Sequence, residues 1–185
     1  TESPFTLEEL TSATRYIITV MAHCGPDQAV ASDAIAATTL QEPVEIPYTC
    51  DFEAEGANGW LLRNSTCTNQ WYVGTRTGGT SRELFISSDG GTSATYTGSA
   101  GVVVAEKLFQ LGATDSIRIS FDVTVNGEGS WDYLKVFFVD PTVAIDPTTN
   151  HNVSYASSTY STGTIGGAII NQQSGTVNKV ITIEN

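Results

Sequence analysis

The ten residues SIRISFDVTV at 116–125 constrain the fold more than any other stretch. Ile117, Ile119, Phe121, Val123 and Val125 alternate with Arg118, Ser120, Asp122 and Thr124. On an extended strand, a period of two places the five apolar side chains on one face and the polar set on the other. A helix turns each successive residue by roughly 100° and would scatter the same side chains around its axis. The stretch therefore predicts a half-buried strand with its five apolar residues pointing inward.

The rest of the chain repeats this theme in shorter pieces. YLKVFFVD at 133–140 is apolar on both faces and reads as a central, buried strand. Further strands are expected in GWLLRN (59–64), QWYVG (70–74), ELFISSD (83–89), TSATYT (92–97) and VVVAEKLF (102–109), separated by turns rich in Gly and Asp. Near the start, RYIITVMAHC (15–24) alternates so that Tyr16, Ile18, Val20 and Ala22 share a face. GPDQ (25–28) is a turn by composition and ASDAIAATT (31–39) a plainer strand. QEPVEIP (41–47) holds two prolines and reads as a linker. After Pro141 comes a Thr/Asn-rich stretch expected to be a long loop, then two more strands in GGAIINQQ (166–173) and TVNKVITIEN (176–185). Many short strands with such punctuation predict an all-β antiparallel sandwich. Nothing alternates with helical patterns, so a parallel α/β sheet is not expected.

With 185 residues the chain can bury a core without staples. Lys and Arg number 8 against 20 Asp and Glu, a net charge of -12. A nucleic-acid partner is not expected, because its recognition needs a basic stripe that displaces counterions. No apolar run approaches the roughly 18 residues of a membrane span, and TESPFTLEEL lacks the basic start and apolar stretch of a signal peptide. The three cysteines, Cys24, Cys50 and Cys67, allow at most one bridge. Either Cys50 and Cys67 close a short loop or all three are free thiols.

The residues that could carry chemistry are few. His23 and Cys24 are neighbours on a strand, where side chains point to opposite faces, so they form no dyad. His151 has no evident partner in sequence, and no nucleophile-elbow, zinc-protease or phosphate-loop motif occurs. Asp51 and Glu53 are two apart, which on a strand puts both carboxylates on one side. Such a pair is either an exposed edge or a cation site, with Asn58, Asn64 and Asn69 within reach to complete the oxygen set that calcium prefers. In GEGSWDY (127–133), Trp131 offers a flat apolar face while Glu128 and Asp132 offer acceptors, a combination suited to stacking on a sugar ring. The competing reading buries Trp131 as a cap on the core and gives Asp132 the task of fixing the turn. Trp60, Trp71 and Tyr72 alternate with apolar residues and read as core.

Two resemblances organise these pieces. Leu10, Thr14 and Tyr16, as L-x-x-x-T-x-Y, followed by the alternating IITVMA strand, resemble the last part of a fibronectin type III domain. In that family the Tyr hydroxyl ties back to the turn after the Leu as a tyrosine corner. CDFE (50–53) with Trp60, NQWYVG (69–74), ELFISSDGG (83–91) and ISFDVTVNGEGSWDYLKVFFV (119–139) resemble the choice-of-anchor J and cleaved-adhesin jelly-roll modules of secreted Bacteroidetes proteins, related in shape to MAM domains. The aromatic strand and Asp-Asn pair that usually close that family are absent from this sequence. Together the resemblances imply residues 1–40 as the end of a fibronectin type III-like domain, 41–47 as a linker and 48–185 as a jelly-roll sandwich. They imply a secreted or surface-exposed, non-catalytic module that binds a host or dietary glycan or a surface protein, with a structural calcium held at Asp51 and Glu53. The alternative is an accessory or spacer region of a larger secreted peptidase or glycan-processing enzyme. Exposed strand edges in 5–40 imply self-association where nothing completes that sandwich. NST (64–66) and NVS (152–154) have the form of N-glycosylation sequons, without meaning in a bacterial protein, and DSI (115–117) fits a short O-glycosylation pattern.

Overall fold

The computed structural model describes residues 4–25, 28–113, 116–129, 131–142 and 170–184. The described residues are all-β and of β-sandwich character, built from small strand pairs, all antiparallel but one. His151, the 152–154 sequon, most of the expected loop between Pro141 and GGAIINQQ, the first residues of GGAIINQQ, Asp115, the middle residues Pro26 and Asp27 of the expected turn and the Cys24 side chain lie outside the described residues. The polypeptide gathers into two units: Thr1–Asn64 with Thr68–Thr97 and Val103–Gln110, and Ser65–Cys67 with Gly98–Val102 and Leu111–Asn185.

The first unit begins with one long hairpin. Strand β1 (Arg15–Ile18) pairs with β4 (Ile35–Thr38), and β2 (Met21–Gly25) pairs with β3 (Gln28–Ala31) at its tip. The expected strand 15–24 is thus split in two, the expected strand 31–39 is regular over Ile35–Thr38, and Gly25 and Gln28 at the ends of the expected turn pair with each other. Arg15 faces Thr38 while Met21 faces Ala31, so the register slips by one residue between the ladders. Ser32 bridges the slip: the Val20 N–H donates to its Oγ at 3.0 Å, and its own N–H donates to the Val20 carbonyl at 2.8 Å. The Tyr16 hydroxyl accepts from the Thr11 N–H at 2.9 Å, one residue after Leu10, which is the expected tyrosine corner. Thr39 closes the base of the hairpin, its Oγ1 accepting from the Thr14 N–H and donating to the Thr11 carbonyl. Ile17, Val20, Met21, Val30 and Ile35 are all exposed on this hairpin.

The remainder of the first unit holds three further pairs. β5 (Val44–Glu45) runs parallel to β10 (Phe109–Gln110), so the expected linker 41–47 contributes a short strand. β6 (Leu61–Arg63) pairs antiparallel with β9 (Val104–Glu106), and β7 (Gln70–Gly74) with β8 (Glu83–Ser87). On β6 and β9 the register places Arg63 diagonally from Glu106, and the two form an ion pair at 2.9 Å. Glu106 also accepts from the Gln41 amide, whose oxygen accepts from the Leu108 N–H. Phe85 and Ser87 of β8 are buried. After β8 the chain turns around Asp89, whose carboxylate accepts from the hydroxyls of Ser87 and Ser93 and from the N–H groups of Thr92 and Ser93. TSATYT forms no strand, because Thr92 and Ser93 are consumed by this turn and Thr97 pairs with the Asn69 side chain.

The second unit is carried by β11 (Ser116–Val123) paired antiparallel with β12 (Val177–Glu184) over eight residues each. Ile117, Ile119, Phe121 and Val123 are half-buried, and the residues between them are exposed, as the period of two requires. Opposite them stand Ile183, Ile181, Lys179 and Val177. Among the described residues YLKVFFVD forms no continuous ladder; its pairing with them is the bridge between Leu134 and the buried Ile170. With apolar residues on both faces, this stretch has no polar phase to fix a register. Cys67 is buried and its thiol donates to the Val102 carbonyl at 3.7 Å, with burial raising its pKa. Cys50 and Cys67 are both free thiols, so of the two alternatives the one without a bridge between them holds.

Two measurements follow from these contacts. The Tyr16→Phe variant removes the acceptor of the Thr11 N–H, so hydrogen exchange at Thr11 should accelerate while the amides paired between β1 and β4 stay protected. Asp89 has its pKa lowered, first by the Ser87 hydroxyl and then by Ser93 and Thr92. A depressed carboxylate stabilises the fold above its unfolded value of about 3.9 and loses that contribution as pH falls through the folded value. The melting-point gap between the wild type and Asp89→Asn should be present at neutral pH and narrow below about pH 4.

Candidate functional site

The turn at 127–132 in the second unit is held from two sides. The N–H groups of Trp131 and Asp132 both donate to the Glu128 carbonyl at 3.1 Å, closing a tight turn. The Asp132 carboxylate accepts from the Glu128 N–H at 3.2 Å, as expected for a turn-fixing aspartate. Asn171 then clamps the turn from the far side of the chain. Its Oδ1 accepts from the Gly127 N–H at 2.9 Å and its Nδ2 donates to the Glu128 carbonyl at 3.0 Å. The Gln173 N–H donates to the Val125 carbonyl, extending the contact. A Cβ on Gly129 would come within 2.9 Å of the Gln172 amide nitrogen, so only glycine fits there without displacing Gln172.

On this frame Trp131 is 74% exposed. The reading that buries it as a core cap is therefore overturned. Glu128 is exposed beside it in sequence, and Asp132 is half-buried with one oxygen committed to the turn. Asn171 and Gln172, which bring two primary amides to this turn, were not expected from sequence. Their separation of more than 40 residues from Glu128 leaves no local signal. Trp60, Trp71 and Tyr72 are half-buried; the Trp71 indole donates to the Val103 carbonyl at 3.2 Å.

Asp51 and Glu53, in the first unit, are placed differently from the strand-face expectation. Residues 51–53 form a turn in which Phe52 has φ of 62°. The Asp51 carboxylate accepts from the Glu53 N–H at 3.0 Å, and the Glu53 carboxylate accepts from the Arg82 N–H at 3.1 Å. Asn58 lies in the same loop, and its amide donates toward the carbonyls of Phe52, Ala54 and Gly56 at 3.4, 3.1 and 3.4 Å. Asn64 and Asn69 serve elsewhere, each paired through its side-chain amide to the backbone of Trp71 and Thr97 respectively. The Arg82 guanidinium donates from Nε to the Phe52 carbonyl and from Nη2 to the Gly56 carbonyl, both at 3.0 Å. Two of the carbonyl oxygens beside the two carboxylates, those of Phe52 and Gly56, thus already face a cation of the chain itself. Among the described residues no three His, Cys, Asp or Glu side chains converge on one point.

Close to this loop, Lys107 lies over the Tyr48 ring at 5.5 Å and donates to the Gly59 carbonyl at 3.0 Å. Burial lowers the Lys107 pKa; burial, followed by the neighbouring Cys50, pushes Tyr48 up to about 12. No described helix is long and apolar enough to cross a membrane. The chain matches no family model, no curated protein and no solved structure.

Proposed function

We propose that the chain is a non-catalytic, adhesin-type binding module, secreted or displayed at a cell surface, that engages a neutral glycan through Trp131. The observation that carries this reading is the exposure of Trp131 on a turn locked by Asp132 and Asn171. An indole left in water costs free energy that a sugar's apolar face recovers by stacking. A turn already fixed loses little entropy on binding. Glu128 supplies acceptors for hydroxyl groups and no positive charge, and the net charge of -12 disfavours acidic glycans.

A second reading, the accessory region of a larger secreted peptidase or glycan-processing enzyme, draws on the hairpin at 15–38. Its exposed Ile17, Val20, Met21, Val30 and Ile35 suit coverage by a protein surface.

A glycan array with the wild type and Trp131→Ala tests the first reading. The wild type should bind neutral glycans, and the variant should lose binding with its melting point nearly unchanged. A buried Trp would instead cost roughly 3–5 kcal/mol on truncation. Failure of the wild type to bind any neutral glycan would leave the module as a spacer.

A further inference from the structure

We propose that Arg82 is the resident cation of the 51–59 loop, and that this loop keeps its shape without calcium. The loop is bent by four residues with positive φ: Phe52 at 62°, Gly56 at 72°, Asn58 at 54° and Gly59 at 72°. Those bends turn the carbonyls of Phe52, Ala54 and Gly56 toward one donor, the Asn58 amide. Inward-facing carbonyls repel one another, and three acids, Asp51, Glu53 and Glu55, add negative charge to the same short stretch. A loop of this kind needs a cation or several hydrogen-bond donors to persist.

Arg82 supplies both. Its planar fork reaches two carbonyls at once, Phe52 through Nε and Gly56 through Nη2, each at 3.0 Å. Its backbone N–H engages the Glu53 carboxylate at 3.1 Å. The guanidinium carries five donors in a fixed planar geometry, so it satisfies divergent oxygens that a single ammonium could not. Phe52 itself is left-handed, and its ring meets that of Trp60 with centroids 6.0 Å apart. Arg82 itself immediately precedes β8, so the lock ties the loop to a strand some 30 residues away in sequence.

Calcium would need six to eight oxygens at 2.3–2.6 Å. The Phe52 and Gly56 carbonyls cannot be shared, because a dication placed on them would lie against the guanidinium. Calcium and Arg82 are therefore alternatives.

Thermal melts and calcium titration calorimetry on the full chain decide between them. For the wild type, the melting point should be the same in excess calcium and in chelator, with no binding heat. Arg82→Ala should lower the melting point by roughly 2–4 °C or more, the shift expected for each kcal/mol lost from a domain of this size. Arg82→Lys should recover only part of that loss. If the alanine variant does not fold, the lysine variant and the wild-type titration still decide. Carbonyl carbon shifts of Phe52 and Gly56 should move in Arg82→Lys, a response that general destabilisation would not confine to those two residues. A calcium-dependent rise in the wild-type melting point that Asp51→Ala abolishes would overturn the proposal. So would arginine variants whose melting points and carbonyl shifts match the wild type.

Discussion

Side-chain amides that stand in for a missing strand hold this structure's connections together. Asn64 accepts from the Trp71 N–H and donates to the Trp71 carbonyl, the exchange that a neighbouring strand would make. Asn69 does the same for Thr97, and Asn171 for the 127–128 peptide region. Gln41 receives the Leu108 N–H while its own N–H group engages Glu106. Each lock joins segments far enough apart in sequence that the backbone alone would leave polar groups unpaired. The described sheets are all two-stranded, so every strand has an edge, and these amides occupy part of the hydrogen-bonding that a wider sheet would supply. Ion pairs do less of this work: among the described residues there are two, Arg63 with Glu106 and Arg76 with Glu83.

The two sites differ in how they use the same device. At 127–132 the polar groups are spent on the backbone, and an indole is left over, pointing into water. At 51–59 the Phe52 and Gly56 carbonyls are taken up by a guanidinium, while the carboxylates of Asp51 and Glu53 each accept a backbone N–H. The first arrangement leaves an apolar face in water; the second ties a loop to the strand that follows Arg82. That contrast supports assigning recognition to Trp131 and architecture to Asp51, Glu53 and Arg82.

Period-two patterning was legible where one face was apolar and the other polar. Ser116–Val123 takes the faces read from its sequence, and Gln70–Gly74 and Glu83–Ser87 form where expected. The bond from the Thr11 N–H to the Tyr16 hydroxyl was legible through the resemblance carried by Leu10, Thr14 and Tyr16, not through periodicity. Reading failed where alternation was absent or a turn intervened. Residues 133–140 offered no phase, and TSATYT lost its first residues to the Asp89 turn. Asp51 and Glu53 were placed on one strand face, but the left-handed Phe52 between them cancels the alternation. Arg82, Asn171 and Gln172 were invisible as site residues, since each acts across a long sequence separation.

The amide locks have a chemical consequence of their own. Amides do not titrate across the range in which carboxylates and imidazoles do, so the three asparagine locks, which bind only backbone groups, carry no charge that acid or salt could remove. They are intolerant in another direction. Exchanging the NH₂ of Asn64, Asn69 or Asn171 for an oxygen keeps the size and shape of the side chain. It also sets an anion against the carbonyl that the amide was serving. Hydrolytic ageing of asparagine performs that one-atom exchange, so chemical wear, more than pH, is the form of damage to which this fold's connections are open.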